Sequence, residues 1–299
     1  MNKKQIKIFL LFAFGISWIF GLVIYLTGRI ESSPELVPNS RITLAFVLTA
    51  SGYMWGPALA HILTRLVTRS GWKDLYLKPQ IRRAWKLLLA GWFLPGLLTL
   101  LGTLCYFLIF PDHFDTTLSL ITNQAPTANN TNDLYVYILI QIAISLVISG
   151  PLNLIATFGE EFGWRGFLLP AMLPYGKRKA LVLSSIIWGI WHWPMVLMGH
   201  NYGLDYWGYP WLGLAVTVCF TLAIGVYFGW LSLKGGSVWP AVLAHGSLNG
   251  MASVGMLFLS RPPYLVLGPS PAGLIGLIPF VLVSGWILWK NPIMESNKK

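Results

Sequence analysis

Charged side chains are scarce in this chain of 299 residues. Asp, Glu, Lys and Arg together make up 10% of it, whereas a soluble domain carries about 25%. Hydrophobic residues make up 55%, and the mean hydropathy is +0.63. These proportions exclude an ordinary soluble protein. They predict a polytopic membrane protein that lies in the lipid bilayer as a single membrane domain over residues 1–299.

Cysteines are few, and the common soluble catalytic motifs are missing. The two cysteines, Cys105 and Cys219, each lie inside an apolar run, where they are expected to pack as small hydrophobic residues. The zinc-protease pattern H-E-x-x-H, the nucleophile pattern G-x-S-x-G and the phosphate-binding P-loop do not occur. The sequence therefore argues against a soluble-type zinc protease, an α/β-hydrolase and a P-loop nucleotide hydrolase.

Eight apolar windows of roughly 20 residues each predict membrane-spanning helices. The fourth window contains Gly150-Pro151, which predicts a kink. Its helix is expected to run on through the acidic residues that follow until Pro170 stops it. The predicted fold class is an all-α bundle of about eight transmembrane helices. The windows are residues 6–27, 42–66, 84–110, 134–158, 180–198, 211–233, 237–259 and 272–289.

The basic residues give the predicted bundle an orientation. Of the 21 Lys and Arg residues, 17 fall at the chain ends or in connections on one side of the predicted spans. By the positive-inside rule that side is cytoplasmic, so both termini are predicted to be cytoplasmic. The net charge of +11 is thus a signal of topology, and nucleic acid is rejected as a partner.

Three charged side chains interrupt the apolar sequence within six residues, in the segment GEEFGWRG at positions 159–166. A charge at the centre of a bilayer costs about 2.5–3.5 kcal/mol on insertion scales, so the group needs partners or a function. Glu161 and Arg165 are i, i+4 neighbours on a helix and are expected to form an ion pair. Glu160 points about 100° away and is left available for chemistry. The glycines at 159, 163 and 166 share one face, which lets another backbone approach closely.

Two of the five histidines are embedded in predicted spans beside other motif residues. His192 follows Trp188 by four residues, and His245 precedes Asn249 by four, so His245 and Asn249 leave their helix on the same face. A lone histidine or asparagine in a membrane is as often an interhelical hydrogen-bond partner as a catalytic group. The other histidines are expected to have structural or surface roles: a hydrogen-bonded place in a span for His61, and outer loops for His113 and His200.

The conjunction of these groups is more informative than any one of them. They come from three different spans, and a helix bundle can direct such side chains to one interior point. A carboxylate can take a proton from water, imidazoles can bind a metal or polarise a carbonyl, and an amide can stabilise an oxyanion. Together these groups supply what the hydrolysis of an amide bond requires.

Three motifs resemble those of the CPBP family, the CAAX-protease and bacteriocin-processing family that is also called Abi. They are Glu160-Glu161-x-x-x-Arg165, Trp188-x-x-x-His192 and His245-x-x-x-Asn249. The family includes the type II CAAX prenyl endopeptidases, and the resemblance covers residues 134–259. Trp188 stands where the family often has Phe, a difference that is expected to be tolerated.

The resemblance implies an intramembrane endopeptidase, a hydrolase whose cavity is open to the cytosol. Its substrate would be a membrane-associated peptide or protein of the prenylated CAAX type or the bacteriocin type. The compact length of the chain favours a bacterial plasma membrane as its location. The resemblance also implies roles for the motif residues: water activation by Glu160 with His192, oxyanion stabilisation by His245 and Asn249, and support by the pair Glu161 and Arg165.

A metal is the open part of this resemblance. Members of the family are described both as metalloproteases and as glutamate-dependent enzymes that need no metal. In the first case Glu160, His192 and His245 would hold Zn²⁺ or another divalent metal and leave one coordination position open. This metalloprotease arrangement is the favoured expectation.

Two other functions stay open. A non-enzymatic bacteriocin-immunity or scaffolding membrane protein of the same fold would use the motif residues only to hold the bundle together. A transporter would use Glu160 and the histidines as a proton or cation relay, and transporters usually carry paired broken helices in two related halves. The sequence shows one Gly-Pro break, in the fourth window, so hydrolysis is favoured over transport.

Overall fold

The structure, a computed structural model, describes residues 3–38, 40, 42–119 and 131–290. These residues form helices almost throughout, with one small antiparallel sheet in which β1 (Glu35–Val37) pairs with β2 (Ile42–Thr43). The α-helices are α1 (Lys3–Leu26), α2 (Leu44–Leu48), α3 (Gly56–Thr68), α4 (Ile81–Ile109), α5 (Thr131–Leu152), α6 (Leu154–Gly163), α7 (Leu169–Met172), α8 (Lys177–Trp191), α9 (Trp193–Leu197), α10 (Trp211–Gly235), α11 (Trp239–Met251) and α12 (Ile278–Lys290).

Six helical segments of the described chain are long and apolar enough to cross a membrane. Four of them are α1, α4, α5 and α10; the others are Lys177–Leu197, which contains α8 and α9, and Trp239–Phe258, which begins with α11. The chain is therefore an integral membrane protein, and the predicted polytopic all-α fold is confirmed. Each of the six segments coincides with one of the eight predicted windows. The windows 42–66 and 272–289 contain shorter helices, of which α12 is apolar over 13 residues.

The window at residues 42–66 is interrupted rather than continuous. After α2 the chain makes a π-helical turn at Thr49–Tyr53 before α3 begins. Gly52, in that turn, lies against the ring of Phe20 in α1, where a β-carbon would collide with the ring. Pro57 lies in the first turn of α3, where its missing N–H leaves no helical hydrogen bond unmade. The break thus allows close packing against α1.

The window at residues 134–158 divides into two helices at Asn153. Pro151 lies within α5, and the break comes two residues later, where the side-chain amide of Asn153 donates a hydrogen bond of 3.3 Å to the backbone oxygen of Gly246 in α11. α6 then carries both glutamates and leads into a π-helical turn at Trp164–Leu168. The expectation that Pro170 stops this helix was wrong, because Pro170 lies in the first turn of α7 and needs no N–H partner there.

Close approach to α3 positions the acidic helix. At Gly159 and Gly163 an added β-carbon would collide with the backbone of Met54 and Pro57 respectively. Gly166 faces Val238 instead, since the π-helical turn changes the angular position of the residues that follow Gly163. The predicted common face therefore holds for two of the three glycines.

The helix connections gather at two ends of the bundle. At the first end the backbone N–H of Val238 donates to Tyr76, and the indole N–H of Trp239 donates to the backbone oxygen of Leu77. The connection before α4 therefore lies beside the connection between α10 and α11. We call this the basic end, because residues 65–86, 177–179, 234 and 290 place most of the described Lys and Arg residues there. Residues 291–299, predicted to be cytoplasmic, lie outside the described residues.

At the opposite end, three connections contact one another. The backbone N–H of Asp115 donates to Phe258, which joins the connection after α4 to the one between α11 and α12. The hydroxyl of Tyr202 donates a hydrogen bond of 3.0 Å to the backbone oxygen of Ala272, which joins the connection between α9 and α10 to the same group. These contacts define the end of the molecule that lies farthest from the basic end.

Asp115 organises the first part of the connection after α4. Its two carboxylate oxygens accept four hydrogen bonds of 2.6–2.8 Å from the hydroxyls and backbone N–H groups of Ser119 and Thr117. These bonds stabilise the charged form and hold the pKa of Asp115 well below its usual range. Nearby His113 is 3% exposed and shares a hydrogen bond of 3.0 Å with the hydroxyl of Tyr106, so the expectation of a surface histidine was wrong.

Candidate active site

An ion pair forms within the acidic motif. Nη1 of Arg165 lies 2.9 Å from Oε1 of Glu161, and both side chains are buried. The expected i, i+4 pairing is therefore confirmed, although Arg165 lies in the π-helical turn and not in α6 itself. The guanidinium group also lies over the face of Trp188, 4.3 Å from the ring centre, which helps to stabilise a cation that has lost its water.

The same oxygen of Glu161 also binds His245. Nδ1 of His245 donates to Oε1 of Glu161 at 2.9 Å. The two residues meet because α6 packs on α11, where the hydroxyl of Thr157 donates to the backbone oxygen of Val242 at 3.1 Å. The hydrogen bond fixes the proton of His245 on Nδ1 and leaves Nε2 free for chemistry. Within the described chain, Oε2 of Glu161 is buried without a hydrogen-bond partner.

Glu160 is held by an indole and not by a charged partner. Nε1 of Trp188 donates a hydrogen bond of 2.7 Å to Oε2 of Glu160. The side chain of Glu160 is 2% exposed, and Trp188 is 1% exposed. The sequence predicted that Glu160 would not take part in the ion pair with Arg165, and Arg165 pairs with Glu161. The sequence did not predict the contact of Glu160 with Trp188.

His192 lies where α8 ends. Pro194 cannot donate the N–H that the next helical turn would require, so α8 stops at Trp191 and His192 caps it. Nδ1 of His192 donates to the backbone oxygen of Trp188 at 2.8 Å, which again leaves Nε2 free. The ring centre of Trp188 lies 5.4 Å from that of His192 and 5.5 Å from that of His245. Trp188 is therefore in contact with both motif histidines as well as with Glu160 and Arg165.

A small cavity of about 70 Å³ lies at these side chains. Of the residues that the sequence singled out, Trp188, His192, His245 and Asn249 line it. Glu160 and Glu161 are not among the lining residues and lie one layer deeper, behind Trp188 and His245. The cavity has room for water, whose share of the liquid is about 30 Å³ per molecule, but not for a peptide.

Sequence reasoning missed part of the cavity wall. His200 and Asn201 from the connection after α9, and Ser270 from the connection before α12, line the same cavity. His200 is exposed, as predicted, but its surface faces this site. Nothing in the spacing of these residues points to the site, because they reach it only through the way two connections fold back over the helix ends.

Comparison with known proteins shows what this part of the chain is similar to. Residues 133–251 match the model of the family described as type II CAAX prenyl endopeptidase Rce1-like. These residues are similar to that family over about two fifths of the chain. The CAAX prenyl protease 2 of Methanococcus maripaludis is 33% identical over 101 residues, which are 33% of this chain and 36% of that relative. The chain thus matches about a third of the length of this curated relative.

The three-ligand metal site that the sequence predicted is not assembled in the part of the chain that the structure describes. Among the residues that the structure describes, no group of three or more His, Cys, Asp or Glu side chains is arranged to hold a metal ion. Oε2 of Glu160 accepts its hydrogen bond from the indole of Trp188. The described residues thus give no support to a metal held by Glu160, His192 and His245, and that metal stays a prediction.

His61 supports the candidate site from outside the segment that matches the family model. Its Nδ1 donates to the backbone oxygen of Phe162 at 2.9 Å, and its Nε2 accepts from Nε of Arg65 at 2.7 Å. The side chain is fully buried between α3 and α6. The structural role predicted for His61 agrees with these contacts, which help to hold the acidic helix against α3.

Proposed function

We propose that this protein is an intramembrane endopeptidase that hydrolyses a peptide bond of a membrane-associated substrate. One observation carries the proposal: Trp188 holds Glu160 through its indole N–H and His192 through its backbone oxygen, beside a cavity that His245 and Asn249 also line. Groups from α6, α8 and α11 thus meet at one place inside an apolar bundle. The family match of residues 133–251 supports the same activity.

Glu160 and His192 are the groups proposed to activate water. A water molecule in the cavity loses a proton to one of them while its oxygen attacks the peptide carbonyl carbon, and the same proton is then available for the leaving amine. His192 is suited to this role because its Nδ1–H is held by Trp188 and its Nε2 can accept. Burial strengthens the electrostatic effect of Glu160 on the reaction, since water does not screen it.

His245 and Asn249 are proposed to stabilise the oxyanion that forms when water attacks. Both line the cavity, and a side-chain amide can donate to a developing negative charge. Glu161 holds His245 in one tautomer, and Arg165 in turn holds Glu161 at the same oxygen. The proposed roles of Glu161 and Arg165 are therefore to position His245 and not to contact the substrate.

The mechanism is proposed without a metal, because the described residues contain no group of three ligands. The substrate is proposed only by class. The name of the relative from Methanococcus maripaludis is that of a CAAX prenyl protease, so a prenylated CAAX-type peptide and an unmodified bacteriocin-type peptide are the two candidates. A bacterial plasma membrane is the proposed location.

Cleavage assays with the purified full-length protein test the proposal. Two peptides with a fluorophore and a quencher on either side of an apolar segment, one prenylated and one not, separate the candidate substrates. Glu160→Gln and His192→Ala are each expected to lower the rate by about 10²–10⁴-fold, the usual contribution of a general acid or base. Glu31→Gln, at an exposed position, is the matched control. A folded Glu160→Gln protein with undiminished biological activity would favour an immunity or scaffolding protein instead.

A further inference from the structure

A second pocket lies at the basic end and shares no lining residue with the cavity of the candidate active site. It has a volume of about 670 Å³ and is lined by Gly236, which follows α10, and by the connection between α3 and α4, including Trp72, Lys73, Lys78 and Gln80. We call it the basic pocket. Because α10 ends and α4 begins at this pocket, and both helices are long enough to cross a membrane, the pocket lies at the level of the bilayer surface.

The connection that forms the wall of the basic pocket is tied to the bundle on both sides. Nη1 of Arg65, in α3, donates a hydrogen bond of 2.7 Å to the backbone oxygen of Gly71. The backbone oxygens of Tyr76 and Leu77 accept the two hydrogen bonds from the start of α11, at 2.9 and 2.7 Å. The wall is therefore part of the fold and is formed before any ligand binds.

The backbone of the same connection is strained. Four of its residues that are not glycine have a positive φ, between 51° and 58°: Arg69, Asp74, Tyr76 and Gln80. Bulky side chains rarely adopt this conformation. Such strain persists only where the surrounding structure enforces it, and it is common at ligand sites. Three of these four residues line the basic pocket, so the strained turns are what lead the chain around it.

Lys73 and Lys78 bring positive charge to the basic pocket. Neither takes part in an ion pair within the described chain, and both are exposed, so they are available to a ligand. Asp74 also lines the pocket, but its carboxylate interacts electrostatically with the buried guanidinium of Arg65. The lining thus keeps a surplus of positive charge that a bound anion would balance.

The start of α4 continues this surface toward the membrane interior. A recess of about 350 Å³ shares Gln80 with the basic pocket and is also lined by Arg82 and Arg83. Exposed apolar side chains follow one another at four-residue spacing on one face of α4: Ile81, Trp85 and Leu89. A basic surface at the bilayer level is therefore continuous with an apolar surface that faces the lipid tails.

We propose that the basic pocket binds the headgroup of an anionic phospholipid. Lys73 and Lys78 donate to its phosphate oxygens, and its acyl chains lie along the exposed face of α4. The charge of the pocket selects an anion, and its place beside an apolar, lipid-facing surface selects a lipid over a soluble anion. Each basic side chain near an anionic lipid contributes about fivefold in affinity. The site is separate from the candidate active site, and the proposal does not rest on the proposed function.

Native mass spectrometry of the full-length protein in detergent tests the proposal. The protein is titrated with phosphatidylglycerol, or with phosphatidylcholine, which carries the same phosphate but no net charge. The first phosphatidylglycerol is expected to bind more tightly than the first phosphatidylcholine. The double variant Lys73→Gln, Lys78→Gln is expected to bind phosphatidylglycerol about 10- to 30-fold more weakly. Lys3→Gln, Lys4→Gln is the matched control, because it removes the same charge at exposed positions of α1 outside the pocket.

Equal losses of affinity in the two double variants would show that only overall charge attracts the lipid, and would overturn the proposal. Unchanged affinity in Lys73→Gln, Lys78→Gln would overturn it as well. Displacement of the lipid by inorganic phosphate, but not by sodium chloride of the same ionic strength, would assign the pocket to a soluble anion instead. If the double variant melts below wild type, the single variants Lys73→Gln and Lys78→Gln take its place, each with an expected loss of about fivefold.

Discussion

The indole N–H of Trp188 donates a hydrogen bond of 2.7 Å to Oε2 of Glu160, inside a part of the bundle where neither side chain is more than 2% exposed. The CPBP family, which the motifs of this chain resemble, often has phenylalanine at this position. A phenylalanine would fill much of the same space but could not make this hydrogen bond. In this chain the aromatic residue four positions before His192 is thus a hydrogen-bond donor to the proposed catalytic carboxylate.

Replacing Trp188 with Phe tests the importance of that bond. A hydrogen bond to a charged group contributes about 1.5–3 kcal/mol, so Trp188→Phe is expected to lower kcat by about 10- to 100-fold while KM changes little. Trp164→Phe is the matched control, because Trp164 is equally buried and its indole N–H has no hydrogen-bond partner in the described chain. Equal effects of the two substitutions would show that only ring packing matters.

The Glu161–Arg165 pair makes a prediction about stability. Removal of one partner leaves the other as an uncompensated buried charge, so Arg165→Met is expected to destabilise the protein by about 3–5 kcal/mol. The double variant Glu161→Gln, Arg165→Met removes both charges and is expected to recover part of this loss. Thermal denaturation in detergent measures both. A double variant that is less stable than Arg165→Met would contradict this account of the pair.

Packing of the acidic helix on α3 is tested at Gly163. A β-carbon there would collide with Pro57, so Gly163→Ala is expected to destabilise the protein by about 1–3 kcal/mol through overpacking. Gly15, in α1, has no atom within 4 Å of the place its β-carbon would take. Gly15→Ala is therefore expected to be neutral or to stabilise the helix by about 0.5–1 kcal/mol. Equal melting temperatures for the two variants would refute the packing argument.

Asp115 gives a prediction with a pH dependence. Its hydrogen bonds from Ser119 and Thr117 depress its folded-state pKa, so they add stability at neutral pH that is lost as the pH falls below about 4, the ordinary range for Asp. Asp115→Asn is expected to lose about 1–3 kcal/mol at pH 7. The difference in the free energy of unfolding between wild type and variant should become smaller as the pH is lowered. Asp205→Asn, at an exposed position, is the control. A difference in the free energy of unfolding that stays constant with pH would contradict the stabilising role of the charged Asp115 side chain.

Removal of metal distinguishes a metalloprotease from a glutamate-dependent enzyme that needs no metal. Because the described residues contain no three-ligand group, dialysis against a chelator is expected to leave the cleavage rate largely unchanged. The metal content of the purified protein, measured by elemental analysis, should not depend on His192. A rate that is lost with the chelator and restored by Zn²⁺, together with metal content that falls in His192→Ala, would show that the site rearranges to bind an ion.

The sequence predicted the membrane class and most of the spans because apolar length is a local property. It did not predict the break at residues 49–53, since that turn depends on the contact of Gly52 with Phe20, which lies in another helix. The expected stop at Pro170 failed for a related reason. Proline ends a helix only where an N–H is required, and the preceding π-helical turn provides a new helix start at that point.

Within the candidate site, spacing predicted the Glu161–Arg165 pair because both partners lie on consecutive turns of one chain segment. The contacts of Trp188 with Glu160 and of His245 with Glu161 join different helices, and their side-chain directions are set by packing that no spacing encodes. His200 and Asn201 were missed for the same reason. Both residues belong to a connection, whose path depends on tertiary contacts.

The double engagement of Glu161 has a consequence for how mutations in this protein should be interpreted. Since Oε1 receives both the guanidinium of Arg165 and the imidazole of His245, a change that displaces the arginine removes one of the two groups that hold this oxygen next to the His245 ring. Substitutions of Arg165 that lower the melting temperature should therefore also change the rate of peptide cleavage. Inhibitors that immobilise the His245 ring should raise the melting temperature of the whole bundle.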